Sequence, residues 1–198
     1  MVIEGIVTTE NPDGSAHIAP IGPHVDQNLA KWVLMPFQSS TTFANLQSRD
    51  RCVFHVVDDA LLMAAAVLGH CNSATPHSDP ALAHAIGEVS RCRFETSMGW
   101  ILENSCRTFA LSVVHWDLSE IRAIAECQLI QQKERRPFWG WNRAASSILE
   151  LSIVASRVHL MDRAQIEAEL ARHRIIVQKT AGPREFAAWE LLNTRLSQ

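Results

Sequence analysis

Four consecutive hydroxyl side chains stand directly before a stretch with helical character: Ser39, Ser40, Thr41 and Thr42. One such residue is enough to cap the free amides at a helix N-terminus, so four exceed what capping needs. A hydroxyl loop that enters a helix N-terminus also offers O–H and N–H donors and a favourable dipole, and this combination suits a phosphate group. Helix capping and phosphate binding are both open from these residues alone.

A histidine pattern farther along the chain raises the question of a metal site. Three histidines recur every seven residues with a cysteine beside the first, and these residues are His70, His77, His84 and Cys71. Pro76 and Pro80 prevent one continuous helix from aligning the three imidazoles. We therefore interpret the region as a polar insertion followed by a short helix that Asp79 caps, and we expect no metal ion there.

The elements that must position the hydroxyl loop are mostly strands. Short alternating apolar runs predict strands over residues 2–9, 17–22, 31–35, 51–57 and 107–116. Residues 93–102 are predicted to pair with 107–116 across a turn at 103–105, and 121–132 favour a strand although their composition also allows a helix. Residues 40–47 predict one or two helical turns, and Asp58 and Asp59 a polar turn.

The periodicity becomes helical from residue 142 onward. Apolar residues then recur at spacings of three and four, Asp162 with Gln165 forms a predicted capping box, and Gly182 with Pro183 separates two helices. The fold class predicted is α+β and mainly β: an antiparallel barrel of six or seven strands over residues 1–137 and a helical appendage over 138–198.

Composition and charge indicate which kinds of partner the protein is expected to have. The 198 residues are 47% hydrophobic and 20% charged with a formal net charge of −3, which is typical of a globular protein and makes nucleic acid an unexpected partner. Five widely spaced cysteines form no C-x-x-C pair. Without a basic leader or an apolar run of bilayer length, we expect a cytoplasmic protein with no membrane partner.

The order of short motifs resembles that of one family. The motifs are APIG at 19–22, PF at 36–37, STTFANL at 40–46, DD at 58–59, NRA at 142–144 and ILE at 148–150. Together they resemble the DUF447 family of FMN-binding split-barrel proteins over nearly the whole chain. The Thr42-x-x-Asn45-Leu46 step is also similar to a step of flavin-reductase-like split barrels in which the turn holds the FMN phosphate.

This resemblance implies an antiparallel split β-barrel with FMN as cofactor. Its phosphate ligands would be Ser39, Ser40, Thr41, Thr42 and Asn45. The backbone of Pro20, Ile21 and Gly22 would run beside the isoalloxazine ring, with Gly22 permitting the close approach. His55 stands where the related families usually have Asn, so it is either a substitute donor or a structural residue.

The resemblance also implies a homodimer with the flavin at the subunit interface. Residues 133–143 hold four basic residues and one acidic residue beside aromatic side chains. Within them Asn142 and Arg143 are candidate ligands that complete the site, because the forked donors of Arg match a phosphate. Trp139 and Trp141 are interpreted as residues that pack the helices on the barrel.

The function implied is an oxidoreductase that moves hydride or electrons between a reduced donor and a small-molecule acceptor. A nicotinamide or a pterin is the expected small-molecule partner. Two alternatives stay open: a non-catalytic flavin carrier or sensor, and a split barrel without cofactor that serves as an interaction module. No G-x-S-x-G, P-loop or G-x-G-x-x-G motif occurs, so the common hydrolase, Walker and Rossmann functions are not indicated.

Overall fold

The computed structural model of the protein describes residues 1–74 and 76–198, which form two compact units. The first unit comprises Met1–Val57 and Arg91–Phe138, and the second Asp58–Ser90 and Trp139–Gln198. The sequence-based domain prediction had assigned residues 58–90 to the first domain. In the structure these residues pack with the C-terminal helices, because the segment contains an apolar helix of its own.

The first unit is built around an antiparallel sheet. Its strands are β1 (Gly5–Glu10), β2 (Ala16–Ile21), β3 (His24–Val25), β4 (Lys31–Leu34), β5 (Arg51–Val56), β6 (Cys92–Glu95), β7 (Gly99–Leu102), β8 (Arg107–Asp117) and β9 (Ile124–Glu134), and its helix is α1 (Thr41–Arg49). Seven strands follow the order β2-β1-β5-β8-β9-β4-β3. The sheet curls, because a β-bridge between Val2 and His24 brings the chain start to β3. The predicted antiparallel split barrel is confirmed.

Aromatic side chains fill the concave side of this sheet. The ring of Trp32 lies 5.4 Å from that of Phe54 and 4.8 Å from that of Phe109, between centroids. Leu46 of α1 is completely buried in the same cluster, so the helix covers this side of the barrel. Offset ring packing of this kind adds to the stabilisation from apolar burial, and the buried Leu46 packs α1 against the same cluster.

Residues 93–102 were predicted to pair with the strand at 107–116, and this pairing is wrong. These residues do not pair with β8 but fold back on themselves as the two-stranded β6–β7 hairpin. The turn is closed by the Met98 amide, which donates to the Glu95 carbonyl at 3.0 Å, and Gly99 follows at φ 111°, a conformation that suits glycine. The separate hairpin thus follows from this local turn.

A buried ion pair fastens the hairpin to the sheet. The Arg135 guanidinium donates to both carboxylate oxygens of Glu95, at 2.7 and 2.9 Å, and its side chain is 8% exposed. The hydrogen bond from Arg135 lowers the pKa of Glu95 from 4.5 to about 2. Forked pairs of this type combine strength with fixed geometry, so the hairpin has a defined position over the sheet.

The hairpin also holds His55 in place. The ring is fully buried, Nε2 accepts from the Leu102 amide at 3.1 Å, and Nδ1 lies 3.2 Å from the Ile6 carbonyl. An accepting Nε2 places the ring proton on Nδ1, which then donates to Ile6. Burial lowers the pKa of His55 from 6.5 to about 3. His55 is therefore a neutral bridge between β1 and β7.

The second unit is helical. It contains α2 (Ala60–Val67), α3 (Pro80–Val89), α4 (Arg143–Ser156), α5 (Arg163–Thr180) and α6 (Pro183–Leu196), with short 3-10 turns at His70–Asn72 and Val158–Leu160. The predicted Asp79 cap and the Asp162–Gln165 capping box are confirmed. The polar turn predicted at Asp58 and Asp59 instead starts α2, since Asp59 accepts from two amides of its first turn. Among the described helices, none is long and apolar enough to cross a membrane.

Gly5 tests how tightly β1 and β5 are packed. A Cβ atom at this position would lie 2.5 Å from Phe54 Cζ, so Gly5→Ala should lower the free energy of unfolding by about 1–3 kcal/mol through overpacking. The matched control is Gly87→Ala within α3, where nothing lies within 4 Å of the added atom. It should instead gain up to about 1 kcal/mol from helix propensity. Urea titration of both variants measures the difference, and equal effects would contradict the packing.

His55 should make the protein sensitive to acid. Because its folded pKa of about 3 lies below the unfolded value of 6.5, the unfolded chain binds the proton first as the pH falls. The stability that neutral His55 supplies is complete above pH 6.5 and declines toward pH 3. Between pH 7 and pH 5 the loss should be about 2 kcal/mol, and Glu95 titrates mainly below this window.

Urea titrations at pH 7 and pH 5 measure this loss, with His55→Gln as the comparison. The variant should be less stable than the natural chain at pH 7, because it loses the bonds to Ile6 and Leu102. Its further loss on acidification should be smaller, because residue 55 no longer titrates. An equal pH-dependent loss in both proteins would contradict a neutral buried imidazole.

Candidate functional site

Ser40 alone caps helix α1. Its Oγ accepts from the Phe43 amide at 3.2 Å and donates to the Phe37 carbonyl at 2.7 Å. Its backbone is extended, as an N-cap requires. Capping therefore accounts for one of the four hydroxyls in the row.

The other three hydroxyls of the loop have no partner among the described residues. Ser39 and Thr41 are exposed, whereas Thr42 is 5% exposed yet makes no hydrogen bond through its side chain. The backbone amides of Thr41 and Thr42 also remain without an acceptor within the described chain, as expected for the first turn of a helix. Five N–H and O–H donors are thus available at one helix N-terminus.

The electrostatics of this loop favour an anion. The first turn of α1 contains no acidic residue, and the helix dipole places partial positive charge there. Arg122 adds a full positive charge beside the loop: its guanidinium carbon lies 3.9 Å from the ring centroid of Phe37, and Nη1 donates to the Met35 carbonyl at 3.1 Å. Together these groups make the surface around the loop electropositive.

Two residues of the site, Gln38 and Arg122, were missed by sequence reasoning. The side chain of Gln38 donates to the carbonyls of Leu118 and Glu120 at 3.0 and 2.7 Å, so it ties the loop to the β8–β9 turn. Arg122 reaches the loop through an isolated bridge with Phe37. Both contacts span more than 80 positions, and no local pattern signals them.

Asn45 supports the loop from inside rather than lying in it. Its Nδ2 donates to Thr9 Oγ1 and to Asn11 Oδ1, each at 3.0 Å. Both amide hydrogens are thereby used, which leaves Asn45 no side-chain N–H for a phosphate. The role of Asn45 as a direct ligand stays a prediction. Asn45 anchors α1 to β1.

The other predicted ligands of the first unit lie apart from this pattern. Pro20 and Ile21 are half-buried residues of the edge strand β2, and Gly22 follows them. A Cβ at Gly22 would approach the Glu4 carboxylate at 2.8 Å, so the space next to this glycine is filled by the chain itself. Because both ring nitrogens of His55 are engaged within the chain, this histidine also offers no donor to a ligand.

Asn142 and Arg143 belong to the second unit, and both are exposed at the start of α4. The Asn142 side chain accepts from the Ala145 amide at 3.1 Å and so caps that helix. Trp139 and Trp141 are 89% and 95% exposed. The interpretation that these tryptophans pack the helices on the barrel stays a prediction.

The histidine-rich segment brings two rings together without forming a metal centre. His70 and His77 stack edge to face with centroids 5.4 Å apart. Within residues 1–74 and 76–198, no group of three or more His, Cys, Asp or Glu side chains could hold a metal ion.

Comparison with solved structures identifies the fold. An FMN-bound protein of the DUF447 family from Methanosarcina mazei superposes with a TM-score of 0.77 at 16% identity, covering 98% of this chain and 94% of its own. A styrene monooxygenase flavin reductase from Pseudomonas putida gives a TM-score of 0.47 at 11% identity, with coverage of 67% and 82%. An NADH:FAD oxidoreductase from Streptomyces globisporus gives 0.49 at 8%, with coverage of 66% and 69%.

The last two scores are too low to bear on function. No curated protein matches the chain significantly.

Comparison with family models gives the identity of the chain. The N-terminal domain of a protein family of unknown function, DUF447, matches residues 3–136, and the C-terminal part of the same family matches residues 142–194. The gap between the two matches lies close to the boundary predicted near residue 137. The two models leave few residues unmatched, and the resemblance found in the motifs is confirmed: the chain belongs to the DUF447 family.

Proposed function

We propose that this chain binds FMN through the hydroxyl loop and acts as an FMN-dependent oxidoreductase. The observation that carries the proposal is the surplus of donors: Ser40 completes the helix cap by itself, while Ser39, Thr41 and Thr42 keep hydroxyls without a partner among the described residues. A terminal phosphate carries strong acceptor oxygens that can use such donors. The M. mazei protein of the same family, which is FMN-bound, supports the choice of ligand.

The residues fit a phosphate in charge as well as in donor number. The free amides of Thr41 and Thr42 point along the helix axis toward its N-terminus, as in other helix-terminal phosphate sites. Arg122 supplies a cation next to the loop. In this proposal Ser39, Thr41 and Thr42 bind the phosphate, Ser40 orients the first turn, and Asn45 keeps the helix in place.

An apolar surface beside the loop supports a second copy of the chain as the partner. Phe37 and Leu118 are each 46% exposed and Ile121 is 80% exposed, and Gln38 connects the segments that carry them. Clustered exposed apolar residues commonly mark a binding surface. We extend the proposal to a homodimer in which this surface is covered and in which Asn142 and Arg143 of a partner are candidates to complete the flavin site.

When bound, FMN would supply the redox chemistry by accepting and releasing a hydride, which carries two electrons. The protein's contribution is binding and orientation, because residues 36–46 contain no group that titrates near neutral pH. A reduced nicotinamide is the proposed donor, and a small molecule such as a pterin is the proposed acceptor.

The test compares two hydroxyl deletions in the same loop. Thr41→Val with Thr42→Val removes donors that are free, so the Kd for FMN should rise by about tenfold or more per hydroxyl while stability changes little. Ser40→Ala removes the cap, so it should cost about 1 kcal/mol of stability and change the Kd by less than about threefold. Flavin fluorescence titration gives the Kd, and urea titration gives the stability.

Equal FMN affinity in a folded Thr41→Val/Thr42→Val protein would contradict the phosphate site. Anaerobic addition of NADH or NADPH then separates the enzyme from its alternative. Bleaching of the flavin absorption at catalytic rates supports an oxidoreductase with a nicotinamide donor. Bound flavin that neither nicotinamide reduces supports a carrier or sensor.

A further inference from the structure

A second concave site lies between the β6–β7 hairpin and the sheet. Its volume is about 370 Å³, and its walls come from the end of β1, the junction of α1 with β5, and the hairpin. All of its lining residues belong to the first unit. The Thr8 hydroxyl donates to the Trp100 carbonyl at 2.5 Å, so the hairpin wall is tied to β1. The volume falls in the range of small-molecule sites.

The polar lining of this cavity carries an unbalanced positive charge. Arg49 pairs with Glu10 at 2.9 Å, which leaves the charge of Arg51 without a counterpart. Within the described part of the chain, the Arg51 guanidinium makes no hydrogen bond or ion pair. Arg51 is exposed, so its guanidinium is available to a solute, and its forked donors match a carboxylate.

The apolar lining is aromatic. Phe94 and Trp100 form an edge-to-face pair with centroids 5.6 Å apart, and Met98 lies beside them. The indole Nε1 of Trp100 is shielded from solvent but has no acceptor among the described residues. Buried donors without a partner are rare and call for an explanation. A ligand acceptor that enters next to the indole supplies one.

We propose that this cavity binds a small aromatic carboxylate. Its carboxylate pairs with Arg51 and accepts from the Trp100 indole, and its ring packs on Phe94 and Met98. Because Glu10 is already neutralised by Arg49, it does not repel such an anion. The combination of one free guanidinium with an aromatic wall selects against both neutral rings and compact inorganic anions.

This site is distinct from the hydroxyl loop. The cavity touches α1 at Ser48 and Arg49, its last two residues, whereas the hydroxyl loop leads into the first residues of the same helix. Helix α1 has nine residues, so its first and last residues lie about 12 Å apart along the helix axis. The proposal therefore stands or fails independently of FMN binding.

The experiment is calorimetric titration of the flavin-free full chain with benzoate. A ligand with so few atoms should bind at one site with a Kd of about 1 mM or tighter. Arg51→Gln should weaken binding by about tenfold or more, while the matched control Arg172→Gln, an exposed arginine of α5, should leave it unchanged. Trp100→Phe keeps a ring and removes the N–H, so it should weaken benzoate by a few-fold.

Two further ligands, benzyl alcohol and inorganic phosphate, and competition with FMN complete the test. Benzyl alcohol, which keeps the ring without the charge, and inorganic phosphate should each bind more weakly than benzoate and should not compete at equal concentration. Absence of benzoate binding, or equal binding by a folded Arg51→Gln protein, would overturn the proposal. Displacement of benzoate by FMN at one shared site would overturn its separateness from the flavin site.

Discussion

The candidate site depends on how one short helix is held. Asn45 donates both of its amide hydrogens to Thr9 and Asn11 of the β1–β2 hairpin. Gln38 fixes the preceding loop to the β8–β9 turn. These two contacts fix the position of α1, and its free amides and hydroxyls lie together at one helix N-terminus. A row of serines and threonines without these two anchors would be only a polar loop.

The position of the β6–β7 hairpin is the second constraint. The hairpin covers part of the sheet on the side away from α1 and the aromatic cluster. Polar contacts hold it, among them the Glu95–Arg135 pair, the neutral imidazole of His55 and the bond from the Thr8 hydroxyl to the Trp100 carbonyl. Removing one member of a buried pair leaves the other without compensation, which makes such contacts costly to disturb. The same hairpin forms one wall of the cavity that Arg51 and Trp100 line. Its position therefore accounts for both the expected acid sensitivity of His55 and the second concave site.

Local chemistry made a good part of the fold predictable. Asp79 and Asp162 marked helix starts because a cap acts through residues a few positions away, and β8 was found from alternation along a single strand. Helix α2 was missed because it is apolar on all sides and carries no helical period. The β6–β7 pairing was missed because it depends on the turn between Glu95 and Gly99. The sequence alone did not show that this turn forms in preference to pairing with β8.

The site was predictable only in part for the same reason. The hydroxyl row is visible in the sequence, but which hydroxyl is spent on capping depends on backbone geometry. Phe37 and Arg122 meet across 85 positions, and His55 acquires its role from the hairpin above it.

The most direct measurement is the visible absorption spectrum of the purified full chain after incubation with FMN and gel filtration, with mass analysis of the molecule released by heat. A flavin band that stays with the protein, and released FMN near one molecule per chain, is the predicted result. A colourless protein that retains no FMN would contradict the central claim, and the hydroxyl row would then be a helix cap with three residues to spare.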